Sequence, residues 1–544
     1  MSIQGFSHDS CQDLWIADGF VDLDWSDGSE AYLLKVFEEA GAVGDYPVEL
    51  AGFIRDWPSR YHLSHLRVNL LEAIRGLLDP SWVALEIGGG TGALTKWLAR
   101  VLARVDVIEG SIQRARVNRV RTQDEQNVRV LVGDMVASPF PDTYDLATLV
   151  GVLEYMSAGP DMTRRQACLQ LLRKIRHSLR EEGMLILAIE NRLGAKYWAG
   201  CGEDHTTRLF DGLLGYPDDT PVTFSRNELE TLLREAGFEY QQFYHLHPDY
   251  KLPATVIREV PDLGRVSAHQ WTQQFAQDYI NPREYFVPDP LLMKSLEDAG
   301  LTWQFSNSFL VLCSQSDEVA LAENWLVKKF SNSSRPELHH TVTLAERDGK
   351  LRVERTPIRG GKSLNMLGDY EYSLSDGDYL PGSLLMVEAY EALMSQQWFE
   401  RLTTLCDQLL AAARSEFGAD TALGHEDYDS LDGRALDFTF WNVIRREDGP
   451  LTSIDSKWKH KGPLAADYVL FRSLFFLLSA GSPFVQADLR ETITGLLRQF
   501  FPQFDDARLA AQRQQPFKFH PDPGADQPVL GEHRPQCFDF AGIA

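Results

Sequence analysis

Val83-Ala84-Leu85-Glu86-Ile87 runs directly into Gly88-Gly89-Gly90-Thr91-Gly92 and then Ala93-Leu94, after which Trp97, Leu98, Val101 and Leu102 recur at helical spacing. Such a run predicts a strand, a tight turn and a helix. It confines this part of the chain to α/β folds in which a strand feeds a helix. Glycines at the turn let the backbone approach a ligand where a Cβ would clash. The helix start behind them offers free N–H groups. The glycines alone leave two ligand classes open, because Gly88-x-Gly90-x-x-Ala93 also fits a dinucleotide-binding turn.

The acids around the turn narrow the choice. Glu86 stands two residues before the first glycine, where a carboxylate can hold an ammonium group. Val105 to Ile108 reads as a second strand ending in Glu109, placed to accept two ribose hydroxyls. Val128 to Val132 is a third strand, followed by Gly133-Asp134, whose carboxylate can accept from an adenine amino group. Asp145 to Val150 is a fourth, opening into Gly151-Val152-Leu153-Glu154-Tyr155. In this order and spacing the segment resembles the class I S-adenosylmethionine (SAM)-dependent methyltransferases. The resemblance implies a Rossmann-like domain binding SAM through Glu86, Gly88, Gly90, Gly92, Glu109, Asp134 and Gly151.

The 544 residues are too many for one core, so two or three domains are expected. Seventy-eight acids against 53 bases give a net charge of −25, which argues against nucleic acid as a partner. Six widely spaced cysteines (Cys11, Cys168, Cys201, Cys313, Cys406, Cys537) suggest neither a disulfide framework nor a zinc site, and fit a reducing cytoplasm. The N-terminus lacks a basic-then-apolar signal, and the apolar run Val469 to Leu478 is short and carries Arg472. The expected organisation is an N-terminal helical, substrate-side segment (1–80), the methyltransferase domain (81–316), an α+β domain (317–510) and a poorly ordered tail (511–544). Within the second segment, Gly183 to Asn191 reads as the fifth strand, and Phe238 to Leu246 and Ser308 to Cys313 as the last two. The insertion between those two is expected to be helical at Gln270 to Tyr279 and Pro290 to Ala299. In the third, short strands (Leu326 to Phe330, Thr341 to Leu344, Leu351 to Arg355) precede helices (Leu384 to Phe417, Pro463 to Ala480, Ala487 to Phe500).

That third segment carries Asp437, then Asn442, then Asp455, with strands and a turn at Asp448-Gly449-Pro450 between the last two. Phosphoryl transfer needs a carboxylate to orient the attacking hydroxyl, and an amide oxygen plus a carboxylate to hold Mg²⁺ on the nucleotide. The spacing resembles the catalytic core of the protein-kinase-like phosphotransferases. It implies Asp437 as the catalytic acid–base residue, Asn442 and Asp455 as metal ligands, and ATP and Mg²⁺ as further cofactors. The chain departs from that pattern in three places. Ala435 stands where the family has His, Ser456-Lys457-Trp458 follows the metal acid, and Ser331-Asn332-Ser333-Ser334 replaces a glycine-rich loop. Arg355 is the best-placed phosphate-side cation, with Lys328 and Lys329 as alternatives. An active phosphotransferase and a degenerate fold both remain open.

Glu190 to Tyr197, Gly202-Glu203-Asp204-His205, Gly215-Tyr216-Pro217 and His247 to Pro253 follow strand ends at the edge where open α/β sheets bind ligands. With Tyr61-His62-Leu63-Ser64 they resemble bacterial methyltransferases of cell-surface polysaccharide (O-antigen) biosynthesis, some joined to a kinase-like domain. This resemblance implies a saccharide or phosphosaccharide acceptor met at the inner face of the membrane, with glycan-assembly proteins as partners. His205, flanked by Glu203 and Asp204, is the first candidate for the methyl-transfer base, and His62 the second. Tyr250 and Lys251 are candidates to contact an anionic acceptor, and Trp57, Trp198 and Trp271 to stack on sugars. Glu154 and Tyr155 read as lining the cofactor end. The alternatives are a small-molecule O-methyltransferase whose second domain only presents substrate, and a non-enzymatic assembly protein.

Overall fold

A computed structural model describes residues 3–514, apart from 23–24, 159–160, 219–220, 262–264, 332–335, 359–365, 419–427 and 486–487. The strand–turn–helix read from the sequence lies at its centre. Strand β3 (Val83–Ile87) is paired in parallel with β4 (Arg104–Glu109) on one side and β6 (Tyr144–Val150) on the other. Outside these lie β5 (Val128–Val132) and β7 (Leu179–Glu190), also parallel. Strand β10 (Ser308–Ser314) is inserted antiparallel between β7 and β8 (Tyr240–His247). Each strand is apolar on both faces because helices cover both sides. Ala84, Val105, Val107 and Ile186 enter one core and Leu85, Ile87, Ile108 and Leu187 the other. Side chains alternate along a strand, so consecutive residues serve opposite cores.

Two features were not expected. The first residues fold as a hairpin, β1 (Phe6–Asp9) and β2 (Leu14–Ala17), and β2 extends the sheet in parallel beside β5. Four-residue strands carry too few alternations to stand out in a sequence. The segment then forms a helix at Glu30–Ala40 and another at Trp57–Leu63. Second, the sheet does not stop at residue 317. Strand β9 (Thr255–Arg258) pairs with β8 and with β11 (Val327–Phe330), and β12 (His340–Arg347), β13 (Lys350–Pro357) and the short strand Gly377–Asp378 continue it. The result is one fourteen-stranded sheet. The helices Leu385–Leu393, Trp398–Phe417, Ala466–Gly481 and Leu489–Phe500 surround a separate core drawn from residues 384–509. The meander and the helical lobe therefore belong to different hydrophobic units, although they are neighbours in sequence.

The expected helix at Asp289–Asp298 is present, but residues 271–279 are irregular and follow only a 3₁₀ turn at Ala268–Gln270. Aromatic residues at helical spacing there each meet a different partner. Trp271 faces Tyr379, Phe275 faces Tyr390, and Tyr279 stacks on Trp57 at 3.7 Å. The Ala466–Gly481 helix is buried in the helical lobe, and among the described residues no helix is long and apolar enough to cross a membrane. A helix, Asp506–Gln514, reaches into the expected tail, while 515–544 and Cys537 lie outside the described residues. Of the other cysteines, Cys11 is exposed and four are buried as free thiols.

Burial depresses the pKa values of His62, His65, His245 and His247, so each is neutral in the fold. The unfolded chain takes up protons at these imidazoles near pH 6.5 and the folded chain does not. Their contribution to stability is therefore complete above about pH 6.5 and is lost as the pH falls below it. His205 is shifted the other way, and the buried carboxyls of Glu86 and Glu154, both raised to about 8, lose stability as the pH rises, so all three oppose the four histidines between pH 5.5 and 7.5. Glu86→Gln removes one opposing group, so its melting temperature is expected to fall more steeply from pH 7.5 to 5.5 than that of the unaltered chain; an equal slope would contradict this account.

Candidate functional site

The glycine turn is closed from behind and open in front. Gly88, Gly90 and Gly92 have φ of +71°, +52° and +84°. A Cβ on Gly88 would lie 2.4 Å from Val152 Cγ2 and one on Gly89 2.3 Å from Val107 Cγ1, whereas one on Gly90 would meet nothing within 4 Å. The turn packs against the ends of β4 and β6 and presents Gly90 to open space. Glu109 locks it: one carboxylate oxygen accepts from the Gly90 amide at 2.8 Å and the other from Ser111 at 3.0 Å. Each oxygen retains a second lone pair for a diol. Asn118, buried on the following helix, donates to Thr95 Oγ1 at 2.9 Å and to the carbonyls of Gly89 and Gly90 at 3.4 and 3.5 Å. The sequence reading missed Asn118; a polar residue on the inner face of the helix after Glu109 was its only signal.

Glu86 is buried, accepts from Thr95 Oγ1 at 2.5 Å, and has its carboxyl pushed up to about 8 by burial. A buried acid in that state favours a cationic ligand. Asp134 ends β5 as expected, but its Oδ1 caps its own turn at Val136 and Ala137, each at 2.7 Å. Gly151 has φ of +69°, and a Cβ there would come within 2.6 Å of Tyr250 Oη. The N-terminal segment straps the turn from outside. Thr91 Oγ1 lies 2.8 Å from His62 Nδ1, and His62 Nε2 lies 2.8 Å from Asp27 Oδ2, which Arg114 also holds at 3.0 Å. His62 is thus a buried positioning residue of the turn rather than a base.

A second buried polar cluster occupies the carboxyl ends of β6 and β7. Glu190 ends β7 and is ion-paired through Oε1 with Lys251. Lys251 also reaches Asp204 at 3.1 Å, and Asp204 binds Lys196 at 2.6 Å. Burial opposes ionisation of Glu190, but Lys251 and His205 outweigh it and hold the carboxyl low. His205 faces Glu190 Oε2 at 3.8 Å, too far for a hydrogen bond, with Nδ1 3.4 Å from Tyr155 Oη. Burial disfavours its charge, but Glu190 and the other acids lift it to about 9. Glu154, 1 % exposed, has no hydrogen-bond partner on either oxygen, and burial raises its pKa. An acid ending the apolar run Leu185 to Ile189 was the available signal for Glu190. Tyr250 is buried and Lys251 half-buried within this network, Trp57 is stacked on Tyr279, Trp271 is buried, and Trp198 is 40 % exposed.

In the C-terminal part, a cavity of about 360 Å³ is lined by Lys329, Val342, Val353, Arg355, Asp455 and Lys457 among others. Val443–Arg445 and Leu451–Ser453 form the expected hairpin. Asn442 donates to the Asp437 carbonyl at 3.1 Å and its own carbonyl accepts from Ile454, the residue before Asp455, at 2.8 Å. Only Asp455 of the three is on the cavity wall; Asp437 is buried, accepts from Trp458 N at 2.8 Å, and is raised to about 6 by burial. Asp455 faces Arg355 at 3.4 Å and Lys457 at 2.8 Å, and its Oδ1 has no hydrogen-bond partner. Lys328 points away, to the Ala73 carbonyl at 2.6 Å, as alternation along β11 requires. Asn332, Ser333 and Ser334 lie outside the described residues.

The order β5-β4-β3-β6-β7-β10-β8 with β10 alone reversed, and an acid–glycine turn ending its central strand, define a class I SAM-dependent methyltransferase domain. Residues 85–187 match the methyltransferase domain family. The chain is 35 % identical over 118 residues to acetylserotonin O-methyltransferase of Mus musculus, covering 20 % of this chain and 28 % of that protein. It is 28 % identical over 141 residues to ribosomal RNA small subunit methyltransferase A of a Synechococcus strain, covering 26 % of this chain and 47 % of that protein. It thus spans less than half the length of either relative. Similar solved structures include a Thermotoga maritima SAM-dependent methyltransferase described as a possible histamine N-methyltransferase (18 % identity, 46 % of this chain and 91 % of that one, TM-score 0.26). Another is a SAM-bound amino pentose methyltransferase from Micromonospora echinaspora (21 % identity, 23 % of this chain and 50 % of that one, TM-score 0.20).

Asn118→Ala and Glu109→Ala each remove hydrogen bonds that hold the turn, and hydrogen bonds to a charged group contribute about 1.5–3 kcal/mol. Calorimetric titration with SAM is expected to show affinity about 10- to 100-fold weaker in Glu109→Ala, with a smaller loss in Asn118→Ala. Unchanged affinity in both would mean that SAM is not held here.

Proposed function

We propose that this chain transfers the methyl group of SAM to an oxygen of a saccharide or phosphosaccharide in cell-surface glycan assembly, and that its C-terminal cleft uses ATP and Mg²⁺ to phosphorylate the same class of acceptor. The observation that carries the methyl-transfer reading is the buried cluster of Glu154, Glu190, His205 and Lys251 at the carboxyl edge, bordering Gly151. When bound, SAM supplies an activated methyl group on a sulfonium. An acceptor oxygen attacks that carbon, the O–C bond forms as the S–C bond breaks, and the electron pair passes to sulfur. A hydroxyl acceptor also gives up a proton, and the unpartnered Glu154 carboxylate is placed to take it. His205 is held as a cation by Glu190, which suits it to orient an acceptor oxygen more than to remove its proton. The domain's chief contribution is alignment, because the network around Glu190 and Asp204 fixes the side chains before the acceptor arrives.

The phosphotransferase half of the reading is supported by the hydrogen bond of Asn442 to the Asp437 carbonyl, by Asp455 on the cavity wall and by the cations beside it. Asp455 Oδ1 and the Asn442 amide oxygen would hold Mg²⁺, with Lys329 and Arg355 on the phosphate side. The acceptor class, and a working place at the inner face of the membrane beside glycan-assembly proteins, rest on the sequence resemblance. The second reading, a methyltransferase whose C-terminal part only presents substrate, is favoured by the position of Asp437 off the cavity wall.

Glu154→Gln is expected to lower kcat for methyl transfer by about 10²- to 10⁴-fold while SAM affinity changes little; a variant with normal kcat would remove Glu154 from the reaction. ATP turnover with a glycan-end acceptor is expected to fall at least about 100-fold in Asp455→Ala and in Asp437→Ala. Methyl transfer that proceeds at full rate in those variants without ATP would instead support the substrate-presenting reading.

A further inference from the structure

We propose that Glu154, Glu190 and His205 form a binding site for one first-row divalent cation beside the acceptor. The donor atoms, one from each residue, all lie within 4.8 Å of one another, so a point exists no farther than about 2.8 Å from all three. That is a few tenths of an ångström beyond ordinary metal–oxygen and metal–nitrogen distances, within the reach of small side-chain rotations.

The second observation is the state of the donors. Both oxygens of Glu154, Oε2 of Glu190 and Nε2 of His205 are buried without a hydrogen-bond partner. The side chains of Glu190 and His205 are 0 % and 8 % exposed. Buried polar groups are nearly always satisfied, and a buried carboxylate without partners costs several kcal/mol. Glu190 Oε2 and His205 Nε2 face each other at 3.8 Å, longer than a hydrogen bond, and a cation between them and Glu154 would give these groups a common partner. Cation binding displaces the proton that the surrounding acids otherwise hold on His205, so the charge of a dication is balanced by the two carboxylates. Lys251 compensates one Glu190 oxygen and leaves the other facing the cluster. The second ring nitrogen of His205 faces Tyr155 Oη at 3.4 Å, which places Nε2 as the ligating atom in the manner of outer-shell partners at metal sites.

Two carboxylates and one imidazole favour Mn²⁺, Fe²⁺, Co²⁺ or Zn²⁺ over Mg²⁺ or Ca²⁺. Three protein ligands leave positions open for an acceptor oxygen and water. This use of the site rests on the methyl-transfer reading above. A hydroxyl bound there is acidified by the cation, its proton passes to water, and the resulting oxygen attacks the sulfonium methyl, leaving neutral thioether.

The test uses the full chain, stripped with chelator and titrated with Mn²⁺ without nucleotide, free Mn²⁺ being read by electron paramagnetic resonance. Asp455→Ala is the background, which removes the carboxylate of the other candidate metal site. One equivalent should bind per chain, and Glu154→Gln and His205→Ala, each with normal circular dichroism, should weaken binding at least about tenfold. Co²⁺ should give visible absorption bands that are lost in His205→Ala. No binding in the Asp455→Ala chain, or binding untouched by both substitutions, would overturn the site. SAM affinity measured on the same samples separates the two proposals. A chain that binds SAM but no Mn²⁺ loses only the cation site, and one that binds Mn²⁺ but no SAM loses only the methyl-transfer reading.

Discussion

Parallel hydrogen bonding of β3 to β4 and β6 fixes where every functional group near the cofactor turn can be. Because these strands run the same way, their carboxyl ends lie along one edge. The turn after β3, Glu109 at the end of β4 and Gly151 after β6 therefore meet there with no further device. The two apolar faces of these strands drive the pairing, since each face is buried under helices. The absence of a Cβ at Gly88 and Gly89 is a consequence of the same packing, because those positions press on Val152 and Val107.

Buried charge is the second organising constraint. Lys251 joins Glu190 and Asp204 and Lys196 joins Asp204, while at the surface Asp27 joins Arg114 and the buried His62. Removing one member of the Glu190–Asp204 set leaves a partner buried and uncompensated, at a cost of about 3–5 kcal/mol. The networks are thus poor sources of net stability and strong determinants of geometry. One positions the turn from outside, and the other sets the shape and charge of the acceptor edge. Within the second, both oxygens of Glu154 lack a hydrogen-bond partner, as do Glu190 Oε2 and His205 Nε2 beside them.

The continuous sheet joins the two halves mechanically. Strand β9 hydrogen-bonds β11, Lys328 reaches back to the Ala73 carbonyl, and Tyr46 meets His339. The meander that walls the C-terminal cavity is therefore an extension of the sheet that holds the glycine turn. The helical lobe below it has its own core, so the cavity lies between two hydrophobic units.

The order of strands, the glycine turn and the acids Glu86 and Glu109 were legible in the amino-acid sequence because each depends on local pattern: apolar runs, turn residues and fixed spacing. The hairpin Asp437, Asn442 and Asp455 belong to was legible for the same reason. Other features depend on contacts between distant segments. The β1–β2 hairpin joins β5 across more than a hundred residues, and no local periodicity encodes that. Residues 271–279 have helical spacing, yet three separate partners draw their aromatic rings apart. The role of His205 turns on Glu190 and Tyr155, and that of His62 on Asp27 and Thr91. Local pattern fixes which elements form, because backbone hydrogen bonds and side-chain periodicity act over a few residues. Tertiary structure alone decides which polar groups share a buried space, and so which are charged, because desolvation and charge pairing depend on distance through space.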